Sequence, residues 1–73
     1  MTSRVWTGEI DRYLTAAGHA GYRLRQDSHN TARIIHTQPH LEVYARLLQG
    51  LGYRTTVEQP TGIRPLRLRV TRA

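Results

Sequence analysis

Between Leu66 and Thr71 apolar and polar residues alternate without a break: Leu66, Leu68 and Val70 against Arg67, Arg69 and Thr71. A period of two is that of a β-strand with one face buried. The pattern therefore predicts Leu68 among the most buried residues and Arg67 and Arg69 on an open face. Near the other end, Ile10, Tyr13, Leu14 and Ala17 fall at the i, i+3, i+4, i+7 spacing of one helical stripe. They predict a helix from about residue 7 to residue 17, with Thr7 as its cap, Glu9 and Asp11 in its first turn and Gly18 just past its end. Residues 22–26 alternate again, Asp27-Ser28-His29-Asn30 is a cluster of turn formers, and residues 31–37 are rich in β-branched side chains, which together predict a hairpin. Pro39 suits the first position of a second helix, with Glu42 in its first turn. Its inward stripe is Leu41, Tyr44, Leu48 and Leu51, widened by Leu47, and Gly50 or Gly52 ends it. Residues 53–58 form a third strand, and Gln59-Pro60-Thr61-Gly62 a type I turn before the last strand.

The order is helix, hairpin, helix, hairpin, and Gly21-Tyr22-Arg23 recurs as Gly52-Tyr53-Arg54. The expectation is an α+β fold: one domain spanning 1–73, built as an αββαββ pseudo-repeat with units at about 7–37 and 39–72. One unit cannot cover its own apolar face, so the two should share a four-stranded antiparallel sheet with both helices on one side. The strand order 2-1-3-4 makes every neighbouring pair antiparallel and leaves Pro65 at an edge, where it removes no ladder hydrogen bond.

Strand parity turns this outline into a site. With Tyr22, Leu24, Ala32, Ile34, Tyr53, Val57, Leu66, Leu68 and Val70 against the helices, the opposite parity carries Arg23, Arg25, Arg33, Ile35, Arg54, Thr56, Arg67 and Arg69, with Glu58 the one opposing acid. Composition sharpens the picture. The 73 residues include eleven arginines, no lysine and five acids, a formal net charge of +6. Use of arginine alone among the strong bases fits a GC-rich coding sequence, but it does not explain the excess of base over acid. That excess points to a polyanion, chiefly nucleic acid, either DNA or RNA. Forked guanidinium groups on a rigid sheet suit phosphate. The predicted face holds no aromatic residue, so binding should be to the backbone, salt-sensitive and weakly selective for sequence. The alternative partner is an acidic protein surface met by a regulatory or inhibitory module. Trp6, just before the first helix, is expected to cap the core.

No cysteine is present, so disulfides and thiolate metal sites are excluded. Pro39 separates His36 from His40, so these do not form a metal-binding helix pair, and neither a metal nor a cofactor is expected. No apolar run reaches the length needed to span a bilayer, and the amino-terminal stretch lacks the apolar core of a signal peptide; a cytoplasmic, membrane-free protein is expected. Small size and an unprotected sheet edge suggest a homodimer. Without a phosphate loop, a carboxylate pair or a nucleophile elbow, the main expectation is a binding domain and not an enzyme. The stretch from Glu9 to Ile35, with Ser28-His29 leading into a strand, resembles the HicA-type mRNA interferase toxins. That resemblance implies an RNase in which His29 is catalytic. It covers a third of the chain, has Asp27 in place of the family's glycine, and meets a helix where the family continues with a strand.

Overall fold

The structure, a computed structural model, describes residues 4–73; the first three residues of the amino-terminal stretch considered above lie outside it. The element order is α1 (Thr7–Ala16), β1 (Arg23–Ser28), β2 (Thr31–Ile35), α2 (Gln38–Gly50), β3 (Tyr53–Glu58) and β4 (Arg67–Arg72). The fold is α+β: four strands form one open sheet, every neighbouring pair antiparallel, with two helices against it. No helix among the described residues is long and apolar enough to cross a membrane.

Both expected hairpins form, but they join through β2 and β4, giving the order β1-β2-β4-β3 in place of 2-1-3-4. Two physical reasons account for the inversion. Pro65 lies before the first residue of β4, so it removes nothing from the ladder and does not demand an edge. Burial then decides. Strand β2 presents Ala32 and Ile34 and β4 presents Leu68 and Val70, all without solvent exposure, whereas the inward side of β1 carries only the half-buried Leu24 and the amide Gln26. The most apolar strands occupy the centre, where each is covered from both sides.

The core joins Val5, Ile10, Leu14, Ala32, Ile34, Leu41, Tyr44, Leu48, Tyr53, Leu68 and Val70. Ladder partners on this face meet directly, Ile34 opposite Leu68 and Ala32 opposite Val70. A fully buried aliphatic side chain contributes about 1.5–3 kcal/mol, so this layer outweighs any surface ion pair. Val5, unmarked by any periodicity, is buried just ahead of α1. Leu51 and Ala17, assigned above to inward stripes, are instead the exposed carboxy-terminal caps of their helices.

Three local expectations are corrected. Trp6, not Thr7, is the N-cap of α1, and it is 49% exposed, so it does not cap the core. The helix start is satisfied from β1: the Thr7 N–H donates to Gln26 Oε1 at 3.0 Å, and Gln26 Nε2 donates to the carbonyls of Val5 and Ser28, each at 2.7 Å. Pro39 is the second residue of α2, which begins at Gln38, so Glu42 lies beyond the first turn, where it accepts from Gln38 Nε2 at 3.0 Å. The tip of the second hairpin is also shifted. Thr61 and Arg64 bridge, with Gly62 at φ +56° between them and no positive φ at Ile63. One positive φ at the first central residue is what a type II′ turn requires, and glycine adopts it without strain.

Candidate nucleic-acid interface

The register places all six predicted arginines on the sheet face opposite the helices. One row across the strands reads Arg25, Arg33, Arg69 and Thr56; the next reads Arg23, Ile35, Arg67 and Glu58; Arg54 lies opposite Thr71. Alternation along each strand, with neighbours about 4.8 Å apart, is what brings side chains so distant in sequence into these rows.

The face is not six independent cations. Strand β1 runs further than the turn cluster suggests, through Ser28, with a bulge between Gln26 and Ser28, and Asp27 shares the side of Arg23 and Arg25. Asp27 accepts from Arg25 Nε through Oδ1 and from Arg33 Nη1 through Oδ2, both at 2.7 Å. The Oε1 atom of Glu58 accepts from Arg33 Nε at 2.9 Å and from Arg67 Nε at 2.7 Å. The result is a chain of alternating charge, Arg25–Asp27–Arg33–Glu58–Arg67, that touches all four strands and has Arg33 at its hub. Arg33 and Arg67 are correspondingly covered, at 19% and 15% side-chain exposure, while Arg25 keeps 63%. Their guanidinium groups hold the Glu58 carboxyl down to about 2, Arg33 contributing most. The hydrogen bond to Glu58, followed by the one to Asp27, raises Arg33 further above its ordinary value.

Arg23, Arg54 and Arg69 differ. All three are exposed, and no acid lies within ion-pair distance of any of them among the described residues. They stand on β1, β3 and β4, two at the sheet's outer strands and one near its middle. Six arginines less two carboxylates leave the face with four positive charges in excess. The sequence reading overlooked Asp27, because a turn-forming cluster hid the last two residues of the strand, Asp27 and Ser28; its parity with Arg23 and Arg25 was the available signal.

Elsewhere polar groups satisfy one another in two clusters. The Tyr53 hydroxyl donates to the Glu9 carboxylate, which also accepts from Arg72 Nη2 at 2.9 Å, while the Arg72 guanidinium lies 4.5 Å from the Tyr53 ring centre. The tyrosine bond, offset in part by burial, lowers the pKa of Glu9; burial and then the carboxylate raise that of Tyr53. Three histidines gather around the buried Tyr44. Its hydroxyl meets His36 Nδ1 at 2.8 Å, His36 stacks on His40 with ring centres 3.9 Å apart, and His19 meets Tyr44 edge-on at 5.0 Å. Pro39 does not keep His36 and His40 apart, because His36 precedes the helix and His40 sits in its first turn. Burial, and then the charge of His40, depress the His36 pKa. No group of three or more metal-ligating side chains able to hold an ion occurs among the described residues.

His29 occupies the two-residue turn between β1 and β2, where Arg4 Nη2 donates to its Nδ1 at 3.0 Å. A guanidinium offers no acceptor, so Nδ1 is the acceptor and a neutral ring carries its proton on Nε2. No family model matches this chain, and neither does any curated protein or solved structure. What the molecule does is therefore argued from its own surface.

Proposed function

We propose that the domain binds nucleic acid through the arginine-bearing sheet face, gripping the phosphate backbone with little regard for base sequence. The observation that supports this reading is the arrangement of Arg23, Arg54 and Arg69: exposed, without acidic partners, and spread over three strands of one rigid surface. Arg25, Arg33 and Arg67 belong to the same interface in a second capacity. Tied by Asp27 and Glu58, they are held in place on the face, and a phosphate must compete with a carboxylate to engage them. Phosphate contacts fix register without carrying a base code, so DNA and RNA duplexes should bind alike. Self-association belongs to the same proposal, since the outer edge of β3 pairs with no other strand among the described residues.

The test is a salt series on duplex DNA with wild type and the Arg23→Gln/Arg54→Gln/Arg69→Gln variant. Each lost phosphate contact should flatten the dependence of log affinity on log salt by about 0.9, with unfolding unchanged. An identical slope in the folded variant would remove these arginines from the interface. Absence of wild-type binding to any duplex at low salt would instead favour an acidic protein partner for the same face. Sedimentation at micromolar concentration reports separately on the dimer: a mass of 8.4 kDa would exclude it.

A further inference from the structure

Where the arginine face meets the first hairpin, Arg4, Trp6, Gln26, Asp27, Ser28 and His29 line an open cleft of about 310 Å³. This volume lies at the lower end of the range for small-ligand sites, about 300–1,000 Å³. Its wall contains the molecule's sole tryptophan, half exposed, with the Arg4 guanidinium 4.5 Å from the ring centre. A cation over an indole is attracted by the ring's negative face, and this contact together with the backbone around α1 holds the indole in place. The rim is polar: Asp27, Ser28 and His29 bring acceptors and donors within reach of a flat ligand lying against Trp6. Asp27 also ties the cleft to the interface, because it lines the cleft and its carboxylate accepts from Arg25 and Arg33 on the open face.

We infer that this cleft is a stacking site for an unpaired nucleobase, so that the domain prefers nucleic acid with a single-stranded segment at this end of the face. The inference rests on the phosphate-binding reading above and extends it. The open face offers only phosphate contacts, since its parity contains no aromatic side chain, while the cleft supplies the one aromatic surface beside it. A base held in a duplex cannot reach an indole in a cleft; one at an end, in a loop or on a single strand can. Stacking on an aromatic side chain is tolerant of sequence because every base presents a π-face. The His29 Nε2 at the rim would favour bases with an acceptor at their edge, while the Ser28 hydroxyl, which donates to Asn30 Oδ1 at 2.8 Å, is left as an acceptor.

Because the protein has one tryptophan, its emission reports on the cleft alone. The experiment titrates the full chain at low salt with a thymidine 12-mer, with an abasic oligodeoxyribose phosphate of the same length, and with heparin. The expected result is binding of all three with quenching by the thymidine oligomer only. Trp6→Ala should bind that oligomer roughly tenfold more weakly, yet retain its affinity for the abasic chain and for heparin. Trp6→Phe, which keeps a ring, should recover most of the loss. The Trp6 side chain is exposed and makes no capping hydrogen bond, so circular dichroism should show both variants folded. Binding of the thymidine oligomer without quenching, or with equal affinity in wild type and Trp6→Ala, would overturn the stacking site and leave the phosphate reading standing. Failure of all three polyanions to bind would overturn both.

Discussion

The two faces of the sheet are built from the same four strands and obey opposite rules. On the helix side, Ala32, Ile34, Leu68 and Val70 sit opposite one another with no solvent exposure, and specificity comes from shape. On the open side, one residue along each strand, the neighbours are Arg33, Ile35, Arg67 and Arg69, and among the described residues they are ordered by ion pairs to Asp27 and Glu58. Burial asks only that neighbours be apolar and fit in shape. Charge pairing is limited by stoichiometry, since two carboxylates can satisfy only some of six arginines. The face thereby divides into a set tied to carboxylates and an exposed set, Arg23, Arg54 and Arg69, with no acid within ion-pair distance among the described residues.

The widest gap between the faces should appear on removing Leu68. Leu68→Ala leaves a cavity between Ile34 of β2 and Val57 of β3 in the inward layer and should cost about 2–5 kcal/mol, enough to endanger a domain of this size. Chemical denaturation measures it, and a midpoint near wild type would mean that the inward layer is not the chief support of the fold.

Glu58→Gln sharpens the contrast because its two effects oppose each other. Loss of the shared acceptor of Arg33 and Arg67 should destabilise by about 1–2 kcal/mol, the solvent at this partly exposed site limiting the cost. The face gains a net positive charge, so duplex DNA should bind more tightly at low salt. Weaker binding in a folded variant would show that the ion-pair chain positions the interface more than it competes with the ligand.

Acid should loosen the open face first. The Glu58 carboxyl is held down to about 2, mainly by Arg33 and then by Arg67, whereas in the unfolded chain it titrates near the ordinary value of about 4.3. A depressed carboxylate contributes stability that is whole above the unfolded value and is lost as pH falls through the folded one. Glu9, lowered by its bond from Tyr53, adds loss in the same direction. Urea midpoints should therefore fall between about pH 5 and pH 2.5, more steeply in wild type than in Glu58→Gln. Parallel curves would assign the acid loss to other groups. The smallest effect is expected from Arg69→Gln, whose side chain touches no acid: stability within about 0.5 kcal/mol of wild type, against a measurable cost for Arg67→Gln. Equal costs for the two, by denaturation, would erase the distinction between tethered and untethered arginines.

Parity was legible because it is a local property. Extended backbone sends successive side chains to opposite faces wherever a strand forms, so the alternation around Leu68 and the outward turn of Arg23, Arg25, Arg33, Arg54, Arg67 and Arg69 required nothing beyond the order of residues. The helical stripes of Ile10 and Leu14 and of Leu41, Tyr44 and Leu48 were legible for the same reason, and only their ends slipped, where the last residues of a stripe reach solvent at the cap. Strand order was not local. It turned on which strands had most apolar surface to hide, and a rule about Pro65 misdirected it because the residue at which β4 begins is set by pairing with β2 and β3. The reach of Gln26 back to the start of α1, the burial of Val5 and the cleft around Trp6 all depend on contacts between the segment ahead of α1 and the end of β1, some twenty residues apart. The sequence alone determined the elements, the two faces and the charge one face would carry. Only the tertiary structure decided which strands lie at the centre, which arginines are held by carboxylates and which remain available, because those outcomes follow from distances between side chains that no local period encodes.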